Sequence, residues 1–92
     1  MSDKTKDHAR ILVVDDDVKT RDSLEFILRD TYRILIAASG EEALGAILKK
    51  NVDLVFLDIH MPGGMSGLEV LKRIKDSGEN TPVVIVTATN TV

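Results

Sequence analysis

Acidic residues and one threonine stand directly after short apolar runs at three places in this 92-residue chain. Carboxylates held close together repel one another, and proteins usually offset that repulsion with a hard divalent cation such as Mg²⁺, which prefers oxygen ligands. A carboxylate can also act as a nucleophile that accepts a phosphoryl group. A set of this kind, if assembled, would suit metal-assisted phosphoryl transfer. Its members would be Asp15, Asp16, Asp58 and Thr87.

Each of these residues taken singly also has a purely structural explanation. Asp58 can simply end a strand, and Thr87 can satisfy a neighbouring backbone group. The neighbouring Asp17 is well placed to cap a following helix, because aspartate is a favoured residue at that position. The functional interpretation therefore depends on whether the three aspartates and the threonine lie close together in the folded protein.

Four apolar, β-branched runs alternate with three amphipathic stretches, in the order β-α-β-α-β-α-β. Strands are predicted over residues 11–14, 33–38, 52–58 and 83–86, and helices over 18–29, 40–50 and 67–77. Short apolar runs of this kind are typical of strands buried on both faces of a parallel sheet. The alternation predicts an α/β fold, a doubly wound parallel sheet with right-handed crossovers and helices on both faces. The four strands would end at the edge where such sheets bind ligands.

The helices are predicted from their starting residues and their apolar stripes. Ser39 with Glu42, and Ser66 with Glu69, each match the capping box that begins a helix. The residues predicted to face the sheet are Val18, Leu24, Ile27 and Leu28 in the first helix, Ala43, Leu44, Ile47 and Leu48 in the second, and Leu68, Leu71 and Ile74 in the third.

Composition narrows the class of protein. Twelve basic and fifteen acidic residues give a net charge of −3, which argues against a nucleic-acid surface. The chain has no cysteine, and no apolar run approaches the roughly 18 residues of a membrane span. We expect a disordered leader over residues 1–9, one domain over 10–92, a cytoplasmic location, and no direct contact with nucleic acid or membrane.

The combination of motifs resembles the receiver domain of bacterial two-component response regulators, which has a flavodoxin-like fold. The matching pieces are the run ending in Asp15-Asp16, then Asp58 with Met61-Pro62 and Gly67 after it, and finally Thr87-Ala88. The resemblance covers the chain from Arg10 to its end. It implies a phosphoacceptor in a phosphorelay, not an enzyme, whose partner is a sensor histidine kinase or a phosphotransfer protein.

The resemblance also implies a role for each residue. Asp58 would accept the phosphoryl group. Asp16 would bind Mg²⁺ directly, together with Asp58 and the backbone carbonyl of His60, while Asp15 would hold the ion through water. Thr87 would bind the phosphoryl group and reorient as the switch. Phosphoryl transfer depends mostly on positioning and charge neutralisation, so a metal and a few oxygens suffice.

Two features depart from the family pattern. The loop over residues 63–67 is one residue longer than usual, which we expect to alter a surface turn. Family members also continue through a further helix, a fifth strand that ends in a lysine, and a last helix, whereas the last basic residue here is Lys75. We therefore expect an incomplete sheet, truncated after the fourth strand, in a chain that is either a fragment or a naturally short receiver. An exposed fourth strand would favour self-association.

Two other functions remain open at this point. A module of the same fold that binds partners without phosphorylation would explain the missing lysine. A Mg²⁺-dependent aspartyl phosphatase also has an aspartate after a strand, but it needs a second acid two residues later, where this chain has His60. The His60 ring could itself bind metal, although a lone histidine after a strand is more often an ordinary loop residue.

Overall fold

The computed structural model of the chain describes residues 8–49, 52–61 and 64–86. Within these ranges, four strands alternate with three helices in the predicted order. The strands are β1 (Arg10–Val14), β2 (Arg33–Ala37), β3 (Leu54–Asp58) and β4 (Val83–Val86), and the helices are α1 (Val18–Leu28), α2 (Gly40–Lys49) and α3 (Gly67–Asp76). The α/β class is confirmed, and the bounds of β4 are those predicted.

The strands form one parallel sheet in the order β2-β1-β3-β4. β1 lies at the centre, with Val14 paired to Ala37 of β2 on one side and to Leu57 of β3 on the other. β3 in turn pairs with β4, and its last residue Asp58 lies opposite Val86. All four strands therefore end at the same edge of the sheet.

A polar side chain caps the amino-terminal end of each of the three helices, as the sequence predicts. Asp17 caps α1 by accepting a hydrogen bond from the backbone N–H of Lys19. Ser39 Oγ accepts from Glu42 N–H at 3.2 Å, and Glu42 Oε1 accepts in return from Ala38 N–H at 2.9 Å. These bonds satisfy N–H groups that have no partner inside the helix, and so they fix where each helix begins relative to the strand before it.

The main core lies between one face of the sheet and the helices α2 and α3, which we call the α2/α3 face. Its buried side chains come from alternate residues of the strands, as the pleat requires, and from the inner sides of both helices. They are Leu12, Val14, Ala37, Ala43, Ile47, Val55, Leu57, Met61, Val70 and Ile74.

The opposite face, which we call the α1 face, is covered less completely. Helix α1 contacts β1 and β2, and Ile11 and Val13 of β1 are buried on this face. Further along the same face Phe56 of β3 is only half-buried and Val84 of β4 is exposed. The expectation that the third strand is buried on both faces is therefore correct for one face and only partly correct for the other.

Several residues of the predicted apolar stripes face solvent. In α1, Val18 is 55% exposed and Ile27 is 69% exposed, while Leu24 and Leu28 are half-buried. Leu48 of α2 and Leu68 of α3 are also exposed. The predicted stripes are therefore only partly correct, and the stripe predicted for α3 omitted Val70, which is fully buried. Residues at the margin of a stripe are buried only where a neighbouring element extends over them.

Some predictions fall outside the described ranges. Residues 1–7 of the expected leader and the predicted switch residue Thr87 belong to this group. None of the helices in the described part of the chain is long and apolar enough to cross a membrane.

Candidate functional site

Two aspartates come side by side where the central strands end. Val14 and Leu57 are paired in the sheet, so the residues that follow them, Asp15 and Asp58, occupy equivalent positions on neighbouring strands. Asp15 N–H also donates to Ala37 O at 3.1 Å, which extends the ladder between β1 and β2 by one residue. The first aspartate is therefore held by the sheet itself, and the site begins from a rigid base.

The same local turn orients both carboxylates. Asp15 Oδ1 accepts a hydrogen bond from Asp17 N–H at 2.8 Å, and Asp58 Oδ1 accepts from His60 N–H at 3.0 Å. In each case the donor is the backbone two residues later, an arrangement typical of aspartate at the start of a turn. One oxygen of each carboxylate is thus fixed by its own loop, and the direction of the other oxygen is fixed with it.

Asp16 completes a group of three acids, which we call the acidic cluster. Asp15, Asp16 and Asp58 each place a carboxylate oxygen within 4.8 Å of the other two. Asp15 is 8% exposed and Asp58 is 9% exposed, whereas Asp16 is exposed to solvent. The cluster therefore has two nearly buried carboxylates at its base and a third at its opening.

Burial and the neighbouring charges both change the pKa of the Asp15 carboxyl group. Burial raises the pKa of its carboxyl group above the ordinary value of 3.8, and the negative charges of Asp58, Asp16 and Asp17 raise it further. The hydrogen bond from Asp17 N–H acts in the opposite direction, because it stabilises the ionised form. Ionisation of Asp15 is therefore less favourable in the folded protein than in water, chiefly because of burial.

This donor set fits a hard divalent cation. Mg²⁺ in proteins is commonly bound through one or two carboxylates and keeps several waters, and the cluster supplies three carboxylates within reach of a single ion. An open depression of about 420 Å³ is lined by Ile59, His60, Met61 and Ser66, in the loop that follows Asp58. Asp16 is the member of the cluster that is exposed to solvent.

The predicted site residues divide into three groups. The structure brings Asp15, Asp16 and Asp58 together. His60 is exposed, and its backbone N–H binds Asp58. Thr87 lies outside the described residues. Asp17 belongs to the cap of α1, as predicted, because its second oxygen accepts from Thr20 Oγ1 at 3.0 Å.

Two features of the site were missed from the sequence. The N–H groups of Asp17 and His60 were not expected to hold the carboxylates, although an aspartate after a strand and before a turn is itself a signal for such bonds. In the sequence, Gly67 stands out only as part of a motif. Its amide donates to Ile59 O at 3.3 Å, in the loop that follows Asp58.

Comparison with known proteins gives one consistent family. The family model for the response regulator receiver domain matches residues 11–92. The chain is 44% identical over 80 residues to sporulation initiation phosphotransferase F of Bacillus subtilis, which covers 86% of this chain and 64% of that protein. It is 40% identical over 84 residues to response regulator MprA of Mycolicibacterium vanbaalenii, which covers 90% of this chain and 36% of that protein. The chain therefore spans about a third of MprA.

Solved structures agree with this result. The response regulator TrrA of Thermotoga maritima, solved in complex with Mg²⁺ and BeF, superposes with a TM-score of 0.82 at 43% identity, over 89% of this chain and 71% of that one. The chemotaxis protein CheY4 of Vibrio cholerae gives a TM-score of 0.83 at 31% identity, over 91% of this chain and 72% of that one.

Proposed function

The chain belongs to the receiver domains of two-component response regulators, and from this premise we propose that Asp58 accepts a phosphoryl group in a phosphorelay. The observation that supports the proposal best is the acidic cluster, in which Asp58 lies at the end of a central strand within 4.8 Å of Asp15 and Asp16. The donor is a sensor histidine kinase or a phosphotransfer protein, and the chain is a cytoplasmic phosphoacceptor and not an enzyme.

In the proposed step, a carboxylate oxygen of Asp58 attacks phosphorus. A new bond from phosphorus to that oxygen forms while the bond from phosphorus to the donor breaks, and the electron pair of the broken bond leaves with the donor. His60 N–H holds the other carboxylate oxygen at 3.0 Å, so the nucleophile has a fixed direction. Positioning of this kind accounts for much of the acceleration of phosphoryl transfer.

Mg²⁺ is the cofactor in this proposal, and when bound it would neutralise the negative charge of the phosphoryl group and of the carboxylates. Asp16 and Asp58 would be direct ligands together with the backbone carbonyl of His60, and Asp15 would hold the ion through water. Burial is the main cause of the raised pKa of Asp15, and the charges of the neighbouring carboxylates add to it. A bound cation would offset that second contribution. The complex of TrrA with Mg²⁺ and BeF supports the proposed Mg²⁺ site by similarity.

Thr87 remains a prediction from the sequence. It is the residue after Val86, which pairs with Asp58 across the sheet. We propose that its hydroxyl donates a hydrogen bond to a phosphoryl oxygen and that its reorientation is the switch. Thr87→Ala should then shorten the lifetime of the phosphorylated state, measured as the loss of label after the phosphodonor is removed, while Thr87→Ser should retain it.

A labelled small-molecule phosphodonor, acetyl phosphate, tests the proposed function in the presence of Mg²⁺. A phosphoacceptor should become labelled with an acid-stable, hydroxylamine-labile phosphate that persists after the donor is removed. A module that binds partners without phosphorylation would take no label. Continuous release of phosphate without accumulated label would indicate a phosphatase, which His60 at the position of the second acid does not favour.

Self-association through β4 is a further part of the proposal. Among the described residues β4 pairs with β3 on one side, and Val84, Ile85 and Val86 are exposed. An apolar strand with unpaired backbone groups is a template for pairing with another chain. Light scattering of the 92-residue chain after size exclusion should therefore show species larger than a monomer, and Ile85→Lys should reduce them. A strictly monomeric chain with one sharp thermal transition would contradict this.

A further inference from the structure

Gly67, the first residue of α3, is packed against the backbone that follows Asp58. A Cβ atom built at this position would collide with the carbonyl oxygen of Asp58 and would lie 2.6 Å from Ile59 Cα, closer than real Cβ atoms approach. The atoms it would meet belong to the backbone, so no change of rotamer could relieve the collision. Gly67 does not have a positive φ, and the requirement for glycine is therefore steric and not conformational.

The same stretch of backbone orients the Asp58 carboxylate. His60 N–H donates to Asp58 Oδ1, and Gly67 N–H donates to Ile59 O between them. Helix α3 thus contacts the loop from Asp58 to His60 at the point where that loop fixes the carboxylate. A displacement of this loop would move Asp58 relative to Asp15 and Asp16, and an error of about 1 Å in the position of a reacting group can reduce a rate by roughly a hundredfold.

We propose that Gly67 is a positioning residue for the phosphoacceptor. Because it has no side chain, α3 can pack against the loop that orients the Asp58 carboxylate. This inference rests on the proposed function. It predicts that Gly67→Ala slows phosphorylation of Asp58 by roughly tenfold or more at saturating Mg²⁺ and acetyl phosphate. The concentration of acetyl phosphate that gives half the maximal rate should stay within about twofold, because Gly67 is buried and does not line the open depression after Asp58.

Two other glycines provide matched controls. A Cβ at Gly40 would lie 2.6 Å from Val70 Cγ2 and 3.0 Å from Met65 Cβ, so it would crowd the packing of α2 against α3 without touching the Asp58 loop. A Cβ at Gly45 would meet nothing within 4 Å. Gly40→Ala should therefore destabilise the packing of the two helices without displacing the loop from Asp58 to His60. Gly45→Ala adds a methyl group that meets no neighbour, so it controls for the substitution of glycine by alanine itself.

The experiment compares the parent chain with the three alanine variants at a temperature where each is folded by circular dichroism. We expect Gly67→Ala alone to lose its labelling rate, while Gly40→Ala and Gly45→Ala stay within about twofold of the parent. If Gly67→Ala does not fold in plain buffer, all four proteins are compared in trimethylamine N-oxide, an osmolyte that favours the folded state.

Three results would overturn the inference. They are a folded Gly67→Ala variant labelled at the parent rate, a Gly40→Ala variant that loses as much rate as Gly67→Ala, and a Gly67→Ala variant that fails to fold even in the osmolyte, which would assign Gly67 to stability alone. Absence of label on the parent chain would instead contradict the proposed function, so the two failures are distinguishable.

Discussion

Strands β1 and β4 are both short and rich in β-branched residues, but their surroundings are very different. After Arg10, β1 consists of isoleucine, leucine and two valines, and β4 consists of three valines and an isoleucine. Yet Val13 of β1 is 1% exposed and Val84 of β4 is 42% exposed. The two residues lie in one row of the sheet, with Phe56 of β3 between them. The difference shows that an apolar run predicts a strand, whereas its place in the sheet decides how much it contributes to stability.

The largest expected effect tests this comparison directly. Val13→Ala shortens a buried side chain by two carbon atoms and leaves a cavity. It should therefore lower the free energy of unfolding by about 2 kcal/mol. Val84→Ala makes the same chemical change at an exposed position and should lower it by about 0.5 kcal/mol. Urea unfolding of both variants provides the measurement. Equal losses would show that β4 is as well packed as β1.

An intermediate effect is expected where the central strands end. Mg²⁺ bound to the acidic cluster should stabilise the folded state by about 1.4 kcal/mol at ten times its dissociation constant. Asp16→Ala should abolish this rise in melting temperature, because it removes a proposed ligand. Asp22→Ala, which removes an exposed acid of α1 outside the cluster, should retain it. An Asp16→Ala variant that responds to Mg²⁺ like the parent would contradict the proposed metal site.

A smaller effect should appear as a dependence of stability on pH in metal-free buffer. The pKa of Asp15 is raised in the folded state, chiefly by burial. Its contribution to stability is therefore fully present below the ordinary pKa of 3.8 and is lost as the pH rises through the folded-state pKa. Asp15→Asn keeps an oxygen that can accept from Asp17 N–H but cannot ionise.

The free energy of unfolding of Asp15→Asn, relative to the parent, should therefore increase as the pH rises through that window. Urea unfolding across the acidic range, with a chelator present, measures the difference at each pH. A difference that stays constant would show that the ionisation of Asp15 costs no folding free energy.

Much of the fold was predictable because it depends on local patterns. Apolar runs and capping residues identified every described strand and helix to within about two residues. The positions of Val18 and Leu68 were predicted wrongly, since the side chains at the margin of a helical stripe depend on neighbours that the sequence does not reveal. The strand order β2-β1-β3-β4 likewise depends on contacts between distant segments.

The acidic cluster was predictable for a different reason. Parallel strands end at one edge, so acids that follow two such strands are expected to meet there, as Asp15, Asp16 and Asp58 do. The hydrogen bond from His60 N–H and the contact made by Gly67 could not be predicted in the same way. Both depend on the exact path of a loop, which small differences in backbone angles determine.

The central claim is that Asp58, held at the end of β3, is the residue that accepts the phosphoryl group. The most direct test is to label the chain with acetyl phosphate and Mg²⁺, reduce the product with borohydride, and locate the modified residue by mass spectrometry of peptides. Asp58→Asn is the matched variant, because its amide oxygen can still accept from His60 N–H. We predict modification at residue 58 of the parent and none in Asp58→Asn. Equal labelling of Asp58→Asn, or modification of the parent at another acid, would contradict the account.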